Sequence, residues 1–168
     1  MNIRMGLIVA AMVLAGSVAQ ADEGLYTEVG LVPMKFSAGG DSLTPDVAVL
    51  RLGYAMSKNF ALEVTAATTV KADSSGAAEF KVDNAVGGYV KGMVEVARNL
   101  ELFAKLGFVR TQLSASGLGS ASDNSISYAA GLQYHFSKKF YGQIDYASYY
   151  DRDGLTATGP SLSLGIRF

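Results

Sequence analysis

The sequence predicts an all-β chain, an eight-stranded antiparallel up-and-down barrel. Three observations carry that prediction. Apolar residues alternate with small or polar ones at a period of two, and the pattern recurs eight times between residues 24 and 168, as in strands with two unlike faces. Tight and long connections alternate between these segments, as a meander requires. The last ten residues form the eighth of these segments, ending on Phe168; a bare strand with a greasy face invites aggregation, so it is expected to pair with the first strand and close the barrel.

Residues 1–21 stand apart. Met1 to Arg4 is a short basic start, Gly6 to Val18 is apolar, and Ala19-Gln20-Ala21 fits the small-x-small cleavage pattern, so this segment is expected to be a cleaved signal peptide. The apolar run is shorter than the roughly 20 residues a membrane-spanning helix needs. Removing 21 of 168 residues leaves 147, residues 22–168, as one barrel domain, and losing Arg4 takes the formal net charge from -1 to -2.

The eight segments are approximately 24–34, 47–57, 60–70, 82–97, 100–113, 125–137, 140–149 and 159–168. In the second, Leu50, Leu52, Tyr54 and Met56 oppose Val49, Arg51, Gly53 and Ala55; in the third, Phe60, Leu62, Val64 and Ala66 oppose Ala61, Glu63, Thr65 and Ala67. The fifth sets Leu100, Leu102, Ala104, Leu106 and Phe108 against Glu101, Phe103, Lys105 and Gly107, and the last sets Leu162, Leu164, Ile166 and Phe168 against Ser161, Ser163, Gly165 and Arg167. Ser57-Lys58-Asn59, Arg98-Asn99 and Ser137-Lys138-Lys139 are tight turns, whereas 35–46, 71–81, 114–124 and 150–158 read as long polar loops. Short turns therefore gather at one end and long loops at the other. A weak repeat, Leu52 to Phe60 against Leu132 to Phe140, supports the count at a spacing of 80 residues.

Composition narrows the function. There is no basic excess to suggest nucleic acid. Cysteine is absent and histidine occurs once, so disulfides and thiolate metal sites are excluded and no cofactor is expected. Asp151 and Asp153, flanking Arg152, read as loop charges.

Alternation alone does not say which face points outward, since a soluble exported lipocalin-like barrel shows the same pattern. Three features favour a transmembrane barrel with its apolar face toward lipid. The other face is rich in Gly, Ala, Ser and Thr, as a crowded eight-strand interior requires. Its charges have both signs at spacings that allow pairing: Glu28, Arg51, Glu63, Lys91, Glu95, Glu101, Lys105, Asp145 and Arg167 read as an interior ionic network, because buried charge must be paired. Within it, Glu95 is expected diagonal to Lys105, Arg51 opposite or diagonal to Glu63, and Arg167 beside Glu28. Third, outward aromatics fall in two belts, Tyr54, Phe60, Tyr134, Phe136, Phe140 and Phe168 near the turns and Phe108, Tyr128 and Tyr146 toward the loops, as at membrane interfaces. With Tyr89, Met93 and Phe103 also inward, the lumen is expected to be plugged.

The runs Leu102-Phe-Ala-Lys-Leu-Gly107 and Gly131-Leu-Gln-Tyr-His-Phe-Ser137 and the ending Leu164-Gly-Ile-Arg-Phe168 resemble the OmpA-like and OmpX-like family of small eight-stranded outer-membrane barrels, over essentially all of Gly24 to Phe168. The resemblance implies location in the bacterial outer membrane, short periplasmic turns, longer extracellular loops, and a terminal Phe168 read as an assembly signal by the barrel-assembly machinery. The chain departs from OmpA itself in lacking a periplasmic peptidoglycan-binding domain, so a tether to the cell wall is not expected. None of these motifs is catalytic.

His135-Phe136-Ser137 resembles the His-x-Ser pair of outer-membrane lipid A deacylases, which would make the chain a lipid A-modifying hydrolase. Parity turns His135 inward, however, and Ser137 falls in a tight turn. Lys35 and Arg110, outward near the loop end, are candidate contacts for lipopolysaccharide, or plain solvated rim charges. The loops are small and polar without anchoring aromatics. The expectation is therefore a non-enzymatic, monomeric structural barrel of the outer membrane, contacting outer-membrane lipids and possessing a plugged polar interior, with surface interaction or envelope integrity as its role.

Overall fold

The computed structural model describes residues 24–38, 41–71, 73–75, 78–115, 119–152 and 155–168. The expected signal peptide, the tips of the four long connections and Asp153 lie outside them. Eight main strands are present: β1 (Gly24–Pro33), β2 (Asp46–Ala55), β3 (Phe60–Lys71), β4 (Ala78–Ala97), β5 (Leu100–Ala115), β6 (Gly119–His135), β7 (Phe140–Arg152) and β8 (Leu155–Arg167). Each pairs antiparallel with its neighbours in chain order, and β1 pairs with β8 from Tyr26↔Arg167 to Leu31↔Leu162. The sheet is closed at the level of the wall, so among the described residues no strand has a free edge there.

The serine turns repeat in detail. Ser57 Oγ accepts hydrogen bonds from the Asn59 and Phe60 amides at 3.2 Å each, and Ser137 Oγ accepts from the Lys139 and Phe140 amides at 3.2 and 3.0 Å. The third turn uses Asn99 at φ 65°, a left-handed conformation that asparagine tolerates better than most residues.

The long connections differ from irregular loops. Lys35–Ala38 continues the β1 register against β8, with Lys35↔Thr158, and pairs with Asp41–Leu43, which prolongs β2. Asp73–Ser75 prolongs β3 against β4, while β4, β5 and β6 run for 20, 16 and 17 residues. About ten residues suffice to cross a membrane as a strand, so the surplus forms two-stranded ribbon above the barrel wall. Polar composition suggested coil there, but backbone pairing costs little in water and is templated by the strands below.

Two further expectations change. The last strand begins at Leu155 and not near 159, which puts Pro160 in its interior. The unbroken β1–β8 register puts it opposite Pro33, so two residues lacking an amide donor coincide at one seam position. Around Arg98-Asn99 a bulge between Glu95 and Ala97 shifts the pairing to Glu95↔Glu101 and Val94↔Leu102, which takes Glu95 off the expected diagonal to Lys105.

The outer surface is apolar. Leu52, Leu62, Val64, Leu106, Ile144, Leu162 and Leu164 are all exposed. The buried residues face inward, and four inward aromatics each stand opposite a glycine of the following strand: Tyr26↔Gly53, Tyr89↔Gly107, Phe103↔Gly131 and Tyr141↔Gly165. A Cβ at Gly53 or Gly165 would collide with the Tyr26 or Tyr141 ring, so these glycines are the beds on which the rings lie.

Candidate functional site

The inward positions of the central strands bring six charges together. Glu28, Glu63 and Asp145 face Arg51, Lys91 and Lys105, and every one is at most 5% exposed. Glu28 is the hub. Its carboxylate lies 3.4 Å from Arg51, 3.5 Å from Lys91 and 3.9 Å from Lys105, and it accepts a 2.9 Å bond from Tyr141 Oη. Glu63 lies 3.4 Å from Lys91 and 2.6 Å from Lys105, and accepts from Tyr26 Oη at 2.7 Å. Arg51 reaches Asp145 at 4.0 Å and donates to Ser163 and Ser161. Three positive and three negative side chains thus neutralise one another across the lumen, which is what burial demands.

Lys91 and Lys105 are direct cross-strand partners, an arrangement that would repel in isolation. Phe103 relieves it: the Lys91 and Lys105 ammonium groups lie 4.7 and 5.1 Å from its ring centroid, at cation–π range. Lys91 also donates to Gln133 and Gln143 at 2.9 Å each.

A second group lies nearer the turns. Glu101 is 3.2 Å from His135 and 3.4 Å from Arg167, and accepts from Gln133 Nε2 at 2.8 Å. Gln133 therefore joins the two groups. Arg167 meets Glu101 and not Glu28, because Tyr26 is the residue opposite Arg167 while Glu28 sits a step deeper, opposite Gly165. Arg51 is opposite Glu28 and Thr65, leaving it diagonal to Glu63. Glu95 does not join the network: it is exposed, opposite Glu101 and far along β4 from Lys105, whose partner is Lys91.

Tyr26, Tyr141, Gln133, Gln143, Ser161 and Ser163 complete the hydrogen bonding and were not singled out from the sequence. Their inward parity was the available signal. What turns parity into contact is the register of strands remote in sequence.

The polar filling does not extend through the whole lumen. Toward the long connections the inward residues are Val32, Met34, Phe36, Val47, Val49 and Ala157, a buried apolar cluster. The interior thus carries its charges toward the turns and is apolar near the ribbons, so the expected polar interior holds for the turn-side part of the lumen. Several of these side chains lie in or beside the strand extensions that the alternation did not reveal.

On the outside, Tyr54, Phe60, Tyr134, Phe136 and Phe140 are exposed beside the turns, with Phe168 half-buried, and Phe108, Tyr128 and Tyr146 are exposed higher up. The upper three stand on consecutive strands at diagonal positions. Lys35 and Arg110 are exposed just beyond that belt.

This combination of a greasy wall, two aromatic rows and an internally neutralised lumen agrees with the sequence comparison: the profile of the outer membrane protein beta-barrel domain matches residues 6–168. The chain belongs to the outer membrane protein beta-barrel family. Membership implies the bacterial outer membrane as its location. No curated protein sequence matches it. Solved structures share the fold of this outer-membrane barrel. The attachment invasion locus protein Ail of Yersinia pestis, solved with the heparin analogue sucrose octasulfate, is 18% identical, with 88% of this chain and 100% of that one covered and a TM-score of 0.68. Neisserial surface protein A is 16% identical over 86% and 97%, with a TM-score of 0.63. The N-terminal barrel of Pseudomonas aeruginosa OprF is 13% identical over 87% and 99%, with a TM-score of 0.62.

Proposed function

We propose that this protein is a non-enzymatic, monomeric outer-membrane barrel that conducts no solute through its centre and acts through its extracellular ribbons, in surface interaction or in envelope integrity. The observation that carries the reading is the neutral six-charge lock around Glu28, which leaves no unpaired field to draw ions through. In planar bilayers the folded barrel is expected to give no stable open state; a large, long-lived conductance would overturn the plugged lumen. The strand extensions present paired backbone above the membrane, and Ail, by its name an attachment invasion locus protein, has the same fold. Cells carrying ribbons shortened across 73–80 should lose surface attachment while heat-modifiable gel mobility shows the barrel still folded; unchanged attachment would favour a purely architectural role.

The same proposal includes export by a cleaved leader ending at Ala21, recognition of Phe168 by the assembly machinery, and contact of Lys35 and Arg110 with lipopolysaccharide phosphates. Hydrolysis of lipid A by His135 and Ser137 is disfavoured by their occupations. His135 is engaged inside by Glu101 and Gln133, while the Ser137 oxygen holds two turn amides. Lipid A mass should be unchanged on expression. A lipocalin-like soluble barrel would need a polar exterior, which the exposed leucines and valines do not provide.

A further inference from the structure

Above the ionic lock lies a cavity of about 270 Å³. Its wall is formed by Met34, Phe36, Val47, Val49, Val109 and Ala157, an unusual lining for a space that faces the aqueous side of the membrane. Leaving such a surface to water is unfavourable by the apolar area exposed, and plugging could have been achieved by larger side chains. An apolar cavity of ~150 Å³ accommodates benzene, so this one has room for an apolar body of roughly ten to twelve non-hydrogen atoms.

The β7 strand is altered at this level. A bulge between Ser148 and Tyr150 interrupts the alternation, and both Tyr149 and Tyr150 line the cavity; bulges commonly re-aim side chains in this way. Tyr150 Oη donates to Asp123 at 2.7 Å on one side. Tyr149 instead lies at the floor, where its hydroxyl is buried beside the Arg51 guanidinium without meeting it at hydrogen-bond geometry.

It is not alone. Thr65 Oγ1 is also buried without a hydrogen bond, and beside it stand Lys105 Nζ and Glu63 Oε2, paired with each other at 2.6 Å. All four residues line one small void of about 20 Å³. Thr65, Tyr89 and Tyr149 line both spaces, so the void is the cavity's polar floor. It has room for about one water-sized group, and the Tyr149 and Thr65 hydroxyls that border it can each donate or accept. A ligand hydroxyl matches them in either sense. A carboxylate would bring a charge for which the neutral six-charge lock holds no free partner.

We propose that the ribbon-proximal half of the lumen is a binding site for a small, neutral, apolar molecule bearing one hydroxyl, its body against the Val47, Val49 and Val109 wall and its hydroxyl on the Tyr149 and Thr65 floor. The site is separate from any contact made by the ribbons, and the two fail independently.

The test uses the full folded barrel in lipid nanodiscs, titrated with 2-naphthol, naphthalene and 2-naphthoate and followed by methyl NMR. Saturable shifts are expected at Val47, Val49 and Val109, with 2-naphthol binding tighter than naphthalene and 2-naphthoate weakest. Outward Leu52 and Leu162 report partition into lipid and should drift without saturating. Tyr149→Phe should weaken 2-naphthol about three- to tenfold, the worth of one hydrogen bond, and leave naphthalene unchanged. Ala67→Phe and Ala85→Phe, filling the cavity from two different strands, should each abolish the inward shifts while heat-modifiable mobility persists. Shifts confined to outward methyls would overturn the site; equal binding of naphthol and naphthalene, or no effect of Tyr149→Phe, would overturn the assignment of a hydroxylated ligand.

Discussion

The two halves of the lumen are built on the same eight strands from opposite materials. Near the turns, Glu28, Glu63, Asp145, Arg51, Lys91 and Lys105 fill the space with charge, and tyrosines, glutamines and serines satisfy what the ion pairs leave over. Near the ribbons, valine, methionine, phenylalanine and alanine line a wall that encloses empty volume. The charged half is specified by mutual dependence: removing one member leaves others buried and unpaired. The apolar half rests on non-directional packing, where a lost methyl costs only its own contacts. One half is therefore suited to sealing and the other to accommodating something.

The contrast is broken most severely at the hub. Glu28→Ala leaves three cations without their shared partner and should destabilise the barrel by about 3–5 kcal/mol, read as a lower urea midpoint for the vesicle-folded protein. Loss of the lock should also admit measurable ion conductance. Next comes Gly53→Val, which forces a side chain into the space of the Tyr26 ring; a cost of about 1–3 kcal/mol is expected from overpacking, measured in the same way. Val49→Ala tests the apolar half and should cost only about 1 kcal/mol, since the cavity beside Val49 already limits its contacts. Glu95→Gln, at the exposed rim, should change stability by less than about 0.5 kcal/mol. A large effect there would place Glu95 inside the network after all and undo the register that separates it from Lys105.

Much of this was legible in the residues. The parity of Arg51, Glu63, Lys105 and Asp145 marked them as inward, and the aromatics at Tyr54, Phe108 and Tyr146 marked the outer rows. Partners were harder to read, because a bulge at one turn moves every pair beside it. Glu95 lost its expected partner to such a shift. The inward turn of both Tyr149 and Tyr150 has the same origin, since a bulge suspends the alternation from which facing is inferred. Ribbon extensions such as Lys35–Ala38 were obscured by their polar, glycine-containing surroundings, for composition reports solvent exposure and not whether a strand continues into solvent.

By itself, the sequence determined that the chain makes strands, that these have one apolar and one mixed face, and that turns and long connections lie at opposite ends. Those are local properties, set by the two-residue period and by turn chemistry. Only the closed tertiary structure decided that Glu28 binds three cations, that four aromatics lie on glycines of the next strand, and that an apolar cavity stands over a polar floor. Each depends on register between strands and on the diameter of the closed ring, quantities that arise only when β1 meets β8.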